Sequence, residues 1–325
     1  MTEAFAAARF IKEIGRGKKG ARSLSRADAS MLYEAMLDGR VSDLELGGIM
    51  LAMRIKGESG EEIAGFLEAA HGSFAPLDVP PGAAGQASDC APIVIPSYNG
   101  SRHMANLTPL LACLLARAGA PVLVHGVSVD PGRVTTAEIL RAMGQVPAAN
   151  NAEAISLWSE GKPAFMPVEV LAPKMARLLA VRRILGVRNS THTLVKLLQP
   201  FARPALRLNS YTHPEYFAML SEYLATLAPS DQGDVFLMRG TEGETVANTR
   251  RAQQITWFHD GQSTVLVERE EPSDDVPALP ASDAATTANW VNAVLRGEQA
   301  VPAAIDEQVR QCLHVARQLR AKGGA

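Results

Sequence analysis

Residues 93–111, IVIPSYNGSRHMANLTPLL, open as a β-branched apolar run, break at Pro96, turn on Asn99-Gly100 and become helix-periodic from Asn106 onward. A short apolar run bounded by turn signals reads as a strand buried on both faces, and strand, turn and helix in succession form the unit of a parallel sheet. The same unit can hold phosphate, because the N–H groups of the turn and the positive end of the helix dipole face one point. Cradles of this kind need several glycines so that backbone can approach the anion, and here Gly100 stands alone. The stretch predicts an α/β fold and a phosphate cradle of reduced chemistry.

Downstream the unit repeats. Strands are predicted near 92–95, 121–124, 164–166, 206–209 and 234–238, with helices near 106–118, 135–143, 170–185 and 214–227. That order implies a mostly parallel sheet with covering helices. ITWFHDGQSTVLVE (255–268) reads as an edge hairpin around Asp260-Gly261, followed by an acidic, Pro-rich loop at 271–283 and two amphipathic helices. Upstream, the first 75 residues read as helices. Ser25, Ser42 and Ser59 stand at N-cap positions, Glu45 and Glu62 complete capping boxes with the latter two, and Gly39 and Gly57 close the second and third helices. PLDVPPGAAGQASDCAP (76–92) has no periodicity and reads as a linker.

A chain of 325 residues can build two domains or one large one with a sizeable core. No uncharged apolar stretch is long enough to span a bilayer and no signal peptide is evident, so the expectation is a soluble, cytoplasmic protein with no membrane partner. Cys90, Cys113 and Cys312 are scattered without C-x-x-C or histidine spacing, which suggests neither disulfides nor a metal site. The net charge of −2 hides segregation. Residues 9–26 carry Arg9, Lys12, Arg16, Lys18, Lys19, Arg22 and Arg26 against Glu13 alone. Between Glu169 and Glu215 there is no acid, yet Lys174, Arg177, Arg182, Arg183, Arg188, Lys196, Arg203 and Arg207 all fall there. Polyanions respond to such local potential rather than to net charge, so two basic segments could form a phosphate track; a solvated face is the alternative for the N-terminal run. Aromatic interleaving is limited to Phe10, Tyr98 and Tyr211, which points to phosphate contacts over base stacking.

The segment 24–66, LSRADASMLYEAMLDGRVSDLELGGIMLAMRIKGESGEEIAGF, resembles the N-terminal helical domain of anthranilate phosphoribosyltransferase. LLAVRRILGVRNSTHTLVKLLQPF (178–201) resembles that enzyme's second helical insertion, and DAATTANWVNAVLRGEQ (283–299) its C-terminal helix. The resemblance implies a helical domain made of residues 1–78 and 170–200, a linker at 79–90, and a larger α/β domain made of 91–169 and 201–325. It also implies a ligand cleft between the domains and a homodimer joined through the helical domain. The enzyme's glycine-rich donor loop corresponds to Pro96-Ser97-Tyr98-Asn99-Gly100, and its lysine-bearing K-H-G-N to Val124-His125-Gly126-Val127. Its magnesium-binding Asp-Glu pair falls near Glu242 and Glu244, which are not adjacent. Asn106-Leu107-Thr108 still resembles the pyrophosphate-contacting helix start. PSYNGSR, VHGVSVDP, GVRNSTHTL and RGTEGE together resemble a branch of the fold, the anthranilate-phosphoribosyltransferase-like DNA-binding family.

That resemblance, with the charge map, implies sequence-independent binding of DNA or RNA, single strands included, with no catalytic residues and no cofactor. The candidate phosphate track is Lys12, Arg16, Lys18, Lys19, Arg22, Lys174, Arg177, Arg182, Arg183, Arg188, Lys196 and Arg203. The candidate remnant of the cradle is Ser97, Tyr98, Asn99, Gly100, Arg102, Asn106 and Thr108. A phosphoribosyltransferase with altered acceptor, using magnesium, is the alternative, and a regulatory protein binding a small anion a third reading. On a helix over 171–185, Arg182 falls on the apolar stripe of Leu171, Met175, Leu178 and Leu185. It would serve there as an anion ligand or as a structural ion pair. His125 reads as a structural histidine, and His192 and His213 as helix-start residues.

Overall fold

A computed structural model describes residues 5–17, 19–79, 88–251, 253–271 and 278–322. The helical layer begins with α1 (Ala8–Ile14), α2 (Arg26–Leu37), α3 (Asp43–Lys56) and α4 (Gly60–His71). Ser25, Ser42 and Ser59 are N-caps, and the last two close full capping boxes with Glu45 and Glu62. Glu62 is fully buried because its carboxylate also accepts from Leu24 N and pairs with Lys56 Nζ at 2.6 Å, which fixes the α3–α4 junction.

The chain then enters the sheet: β1 (Ile93–Ser97), α5 (Thr108–Arg117), β2 (Val122–Gly126), α6 (Thr136–Ala142), α7 (Asn151–Ser159) and β3 (Ala164–Pro167). Short helices follow, α8 (Val168–Leu171), α9 (Pro173–Ala180), α10 (Arg182–Leu185) and α11 (Thr191–Leu194). The sheet resumes with β4 (Leu206–Tyr211), α12 (Pro214–Thr226), β5 (Val235–Arg239), β6 (Ile255–His259) and β7 (Gln262–Val267), and α13 (Ala284–Leu295) and α14 (Ala303–Lys322) close the fold. Strand order is β3-β2-β1-β4-β5-β6-β7, with the first five parallel and the β6–β7 hairpin antiparallel at the edge. The alternation of side chains divides the core: Ile93, Ile95, Val122, Val124, Phe236 and Met238 face one apolar cluster, while Val94, Leu123 and Leu237 face another continuous with the helical layer.

The second helical segment packs where the resemblance implies, α9 on α2 and α11 on α4. Tyr33 Oη donates to Thr191 Oγ1 at 3.0 Å, and Gln199 N donates to His71 Nε2 at 3.0 Å, joining residues far apart in sequence. The predicted helix at 170–185 is instead three pieces. Ala172 leaves helical geometry (φ −142°, ψ 70°) ahead of Pro173, as the steric clash before proline demands, and α9 ends at Ala180. Val181 keeps helical dihedrals between α9 and α10, but α10 buries none of its residues, and Arg182 is exposed, not buried. Helix α7 has no counterpart among the predicted elements. The linker at 79–90 lies largely outside the described residues. Among the described residues no helix is long and apolar enough to cross a membrane.

Candidate functional site

Strand order reverses between β1 and β4, so the loops leaving their carboxyl ends diverge and open a crevice, the usual ligand position in such sheets. On the β1 side, the loop after Ser97 turns on Gly100 (φ 64°), where a Cβ would meet Val134 O at 2.7 Å. The N–H groups of Asn99 and Gly100 point inward as those of a phosphate cradle would. Their acceptor is the protein's own carboxylate: both donate to Glu244 Oε1, at 2.8 and 2.7 Å. The N–H of Ser101 donates to Val134 O at 3.0 Å, and those of Arg102 and His103 donate to Glu242. Asn99 Nδ2 donates to Gly243 O at 2.8 Å, and Gly243 (φ 94°) has no room for a Cβ beside that amide.

The remaining cradle residues are also engaged from within. Ser97 Oγ donates to Thr136 Oγ1 at 2.8 Å, and Asn106, just ahead of α5, accepts from Thr108 N at 3.1 Å while its amide reaches Thr136 Oγ1. Tyr98 Oη and His125 Nδ1 lie 2.8 Å apart in a buried pair. Burial pushes His125 down to about 3, so it is neutral and structural. Of Ser97, Tyr98, Asn99, Gly100, Arg102, Asn106 and Thr108, only Arg102 is exposed. The carboxylates do not fit a magnesium site either. Both oxygens of Glu242 and one of Glu244 accept backbone N–H groups, Glu244 Oε2 is buried without a partner, and no group of three His, Cys, Asp or Glu converges among the described residues.

Beside this closed loop a cleft of about 630 Å³ separates the helical layer from β4 and α12. Its wall carries Arg54 from the last turn of α3, with Arg188, His192 and Lys196 from the second helical segment. Arg188 Nη2 donates to Asn99 Oδ1 at 2.7 Å, which aims its guanidinium across the crevice. Burial lowers its pKa, and repulsion from Arg182, Arg133 and Arg54 adds to the shift against Asp130. Four arginines thus converge from α3, the 127–135 loop and the second helical segment. Lys196 Nζ donates to Gly243 O at 3.2 Å; burial pushes it down to about 8, with Glu244 opposing and Arg188 assisting. His192 is pushed down to about 4 by burial and then by Arg188 and Arg182. Glu58 and Glu215 also line the cleft, but among the described residues neither pairs with Arg54, Arg188 or Lys196, so these cations stay uncompensated by contact, an arrangement that favours an anion.

The residues of the expected basic track separate into groups. Lys18 lies outside the described residues. Arg16 pairs with Glu13 at 2.6 Å and Lys174 with Asp38 at 2.7 Å, while Arg177 Nη2 donates to the carbonyls of Met36 and Leu37, capping α2. Lys12, Lys19, Arg22, Arg182, Arg183 and Arg203 are exposed. Phe10 and Tyr98 are buried in the core, so neither is a stacking platform; Tyr211 is half-buried at the mouth of the cleft. Sequence reading missed Arg54 and Arg133. Arg133 is an isolated cation in its segment, and the one local signal for Arg54 was the basic last turn of α3 that it shares with Lys56.

Residues 8–73 match the helical bundle domain of the glycosyl transferase family. Over 306 residues the chain is 45% identical to the uncharacterized protein YbiB of Escherichia coli (strain K12), covering 94% of this chain and 92% of that protein. It is 26% identical over 286 residues to the anthranilate phosphoribosyltransferase of Novosphingobium aromaticivorans, covering 85% and 81% respectively. The crystal structure of anthranilate phosphoribosyltransferase from Thermus thermophilus superposes with a TM-score of 0.71 at 21% identity, covering 97% of this chain and 90% of that one.

Proposed function

This chain belongs to the family of Escherichia coli YbiB, on the anthranilate phosphoribosyltransferase fold, and from that premise we propose that it binds nucleic acid through backbone phosphates rather than transferring a phosphoribosyl group. The observation that carries the reading is the pairing of a closed cradle with an open cationic cleft. A carboxylate on the N–H groups of Asn99 and Gly100 both removes the donors a pyrophosphate needs and repels it, whereas Arg54, Arg188 and Lys196 line the neighbouring cleft, ready for phosphate oxygens. The exposed Arg182, Arg183 and Arg203, with Lys12, Lys19 and Arg22, extend the positive surface beyond the cleft. No cofactor is needed for such a role.

The protein acts as a homodimer through the helical layer. Leu44, Leu51 and Ile55 form one stripe along α3 with relative exposures of 89%, 42% and 71%, and Ile184 beside it is 84% exposed, an apolar surface that a second copy would cover. A transferase with altered acceptor is the second reading, favoured by the names of the relatives at 26% identity; it would require Glu242 and Glu244 to release the loop and take up magnesium.

The test is a titration of labelled single- and double-stranded oligonucleotides of two unrelated sequences at two salt concentrations, beside an assay for magnesium-dependent phosphoribosyl transfer to anthranilate. Sequence-independent binding that weakens steeply with salt, without turnover, is the expected result. Turnover on the order of 1 s⁻¹ or faster would overturn it.

A further inference from the structure

A second cavity, of about 250 Å³, lies at the carboxyl ends of β4 and β5, where β6 begins and β7 ends. It shares Tyr211 and Thr212 with the interdomain cleft, so it continues that cleft round the end of the sheet. One wall is aromatic: the rings of Tyr211 and Phe217 sit 5.0 Å apart at 51°. Facing it are three guanidinium groups, Arg239 from the end of β5, Arg251 from the following loop and Arg269 from beyond β7, and no carboxylate lines the cavity among the described residues. At its floor is Gln253, 8% exposed, whose Oε1 has no hydrogen-bond partner. A buried amide oxygen left without a donor is costly, and the carboxamide of Gln253 is an uncharged hydrogen-bonding group set among the arginines of the cavity.

We propose that this cavity is a nucleotide subsite, in which a base packs against Tyr211 and Phe217, its polar edge meets the Gln253 carboxamide, and Arg239, Arg251 and Arg269 hold the attached phosphates. Three features select that chemistry together. An aromatic ring in the wall suits a π-face, the arginines suit phosphate oxygens, and the carboxamide suits the hydrogen-bonding edge of a base. The volume falls below the 300–1,000 Å³ or so typical of drug-sized ligands and suits one base rather than a dinucleotide. The ligand is one nucleotide of a strand already lying in the cleft, so the inference rests on the nucleic-acid reading above; a free mononucleotide shares the chemistry.

The experiment uses two probes, a labelled single-stranded 20-mer and AMP, on the wild type and on the triple variant Arg239→Ala, Arg251→Ala, Arg269→Ala, with Gln253→Leu and Phe217→Ala as separate variants. Melting temperatures establish that each variant is folded. The 20-mer should bind the triple variant more weakly with a log–log salt slope reduced by about 2, and Phe217→Ala should lose affinity on the order of tenfold. A 20-mer that binds the wild type and every folded variant alike would overturn the subsite and leave the nucleic-acid reading standing. A wild type that binds AMP but no 20-mer, with AMP binding lost in the triple variant, would keep the subsite and overturn the strand. Failure of both probes to bind the wild type would overturn both.

Discussion

The loop after β1 and the wall of the neighbouring cleft treat charge in opposite ways. In the loop, four backbone N–H groups are satisfied by two internal carboxylates, Glu244 on Asn99 and Gly100, and Glu242 on Arg102 and His103. In the cleft, Arg54, Arg188 and Lys196 gather with no carboxylate in ion-pair contact among the described residues, and burial and mutual repulsion together lower the pKa of Arg188 and Lys196. An anion site is therefore defined less by its donors than by whether the protein itself supplies the anion. The fold of a phosphate-binding enzyme is preserved while, on the proposed reading, the place for phosphate has moved outward.

The largest effect should come from removing the internal anion. Glu244→Ala leaves the N–H groups of Asn99 and Gly100 buried without an acceptor, and two such groups at about 1–3 kcal/mol each predict a loss of roughly 2–6 kcal/mol in denaturant unfolding. Glu244→Gln keeps an acceptor oxygen and should lose less. A Glu244→Ala variant as stable as the wild type would break the comparison on its closed side.

Two histidines report on the two regions separately. His125, beneath the loop, is held to about 3 by burial, and His192, in the cleft, to about 4 by burial and the arginines. Both are neutral in the fold, so the unfolded chain binds more protons below the ordinary value of about 6.5. Stability is full above that pH and falls as pH drops toward 4, by at most about 3 kcal/mol for His192. A phosphate-bearing ligand in the cleft should raise the His192 pKa, read by NMR, and leave His125 unmoved. Equal shifts at both would mean that the ligand enters the loop.

Lys196 gives a smaller effect at the other end of the pH scale. Its free-state pKa of about 8 means that its charge is lost as pH rises through that value, whereas a bound phosphate holds the proton. Affinity should decline above pH 8 by up to about tenfold per pH unit until the pKa of the complex is reached, and Lys196→Met should flatten that limb. A decline unchanged in Lys196→Met would assign it elsewhere. Lys19 and Arg22 of the N-terminal run are exposed and the run should count for less: replacing Lys18, Lys19 and Arg22 with alanine should lower the salt slope by at most about 2–3 without changing the melting temperature. An unchanged slope would reduce that run to a solvated face. Arg182→Ala belongs with this group, since an exposed side chain leaves no buried acid stranded.

Local features of the fold were legible because neighbouring residues decide them. The capping boxes at Ser42 and Ser59, the apolar runs of the parallel strands and the Asp260-Gly261 turn, with φ of 46° and 73°, all formed where the sequence placed them. Arg182 was misplaced because an apolar stripe tells which side of a helix a residue lies on, not where the covering layer ends, and α10 buries none of its residues. The site was less legible still. Glu244 meets Asn99 across 145 residues, and Arg54, Arg133 and Arg188 arrive from three separate segments. A sequence shows charge runs; it does not show isolated cations that only a cleft brings together, nor a carboxylate whose partner is a distant backbone.

The most direct test of an outward-moved phosphate site is the log–log salt slope of oligonucleotide binding, measured for the wild type and for Arg54→Ala, Arg188→Ala, Lys196→Ala combined. Three lost phosphate contacts, at about 0.7–0.9 released ions each, predict a slope shallower by about 2–3. A variant that is folded and binds with the wild-type slope would contradict the account, because the cleft would then hold no phosphate at all.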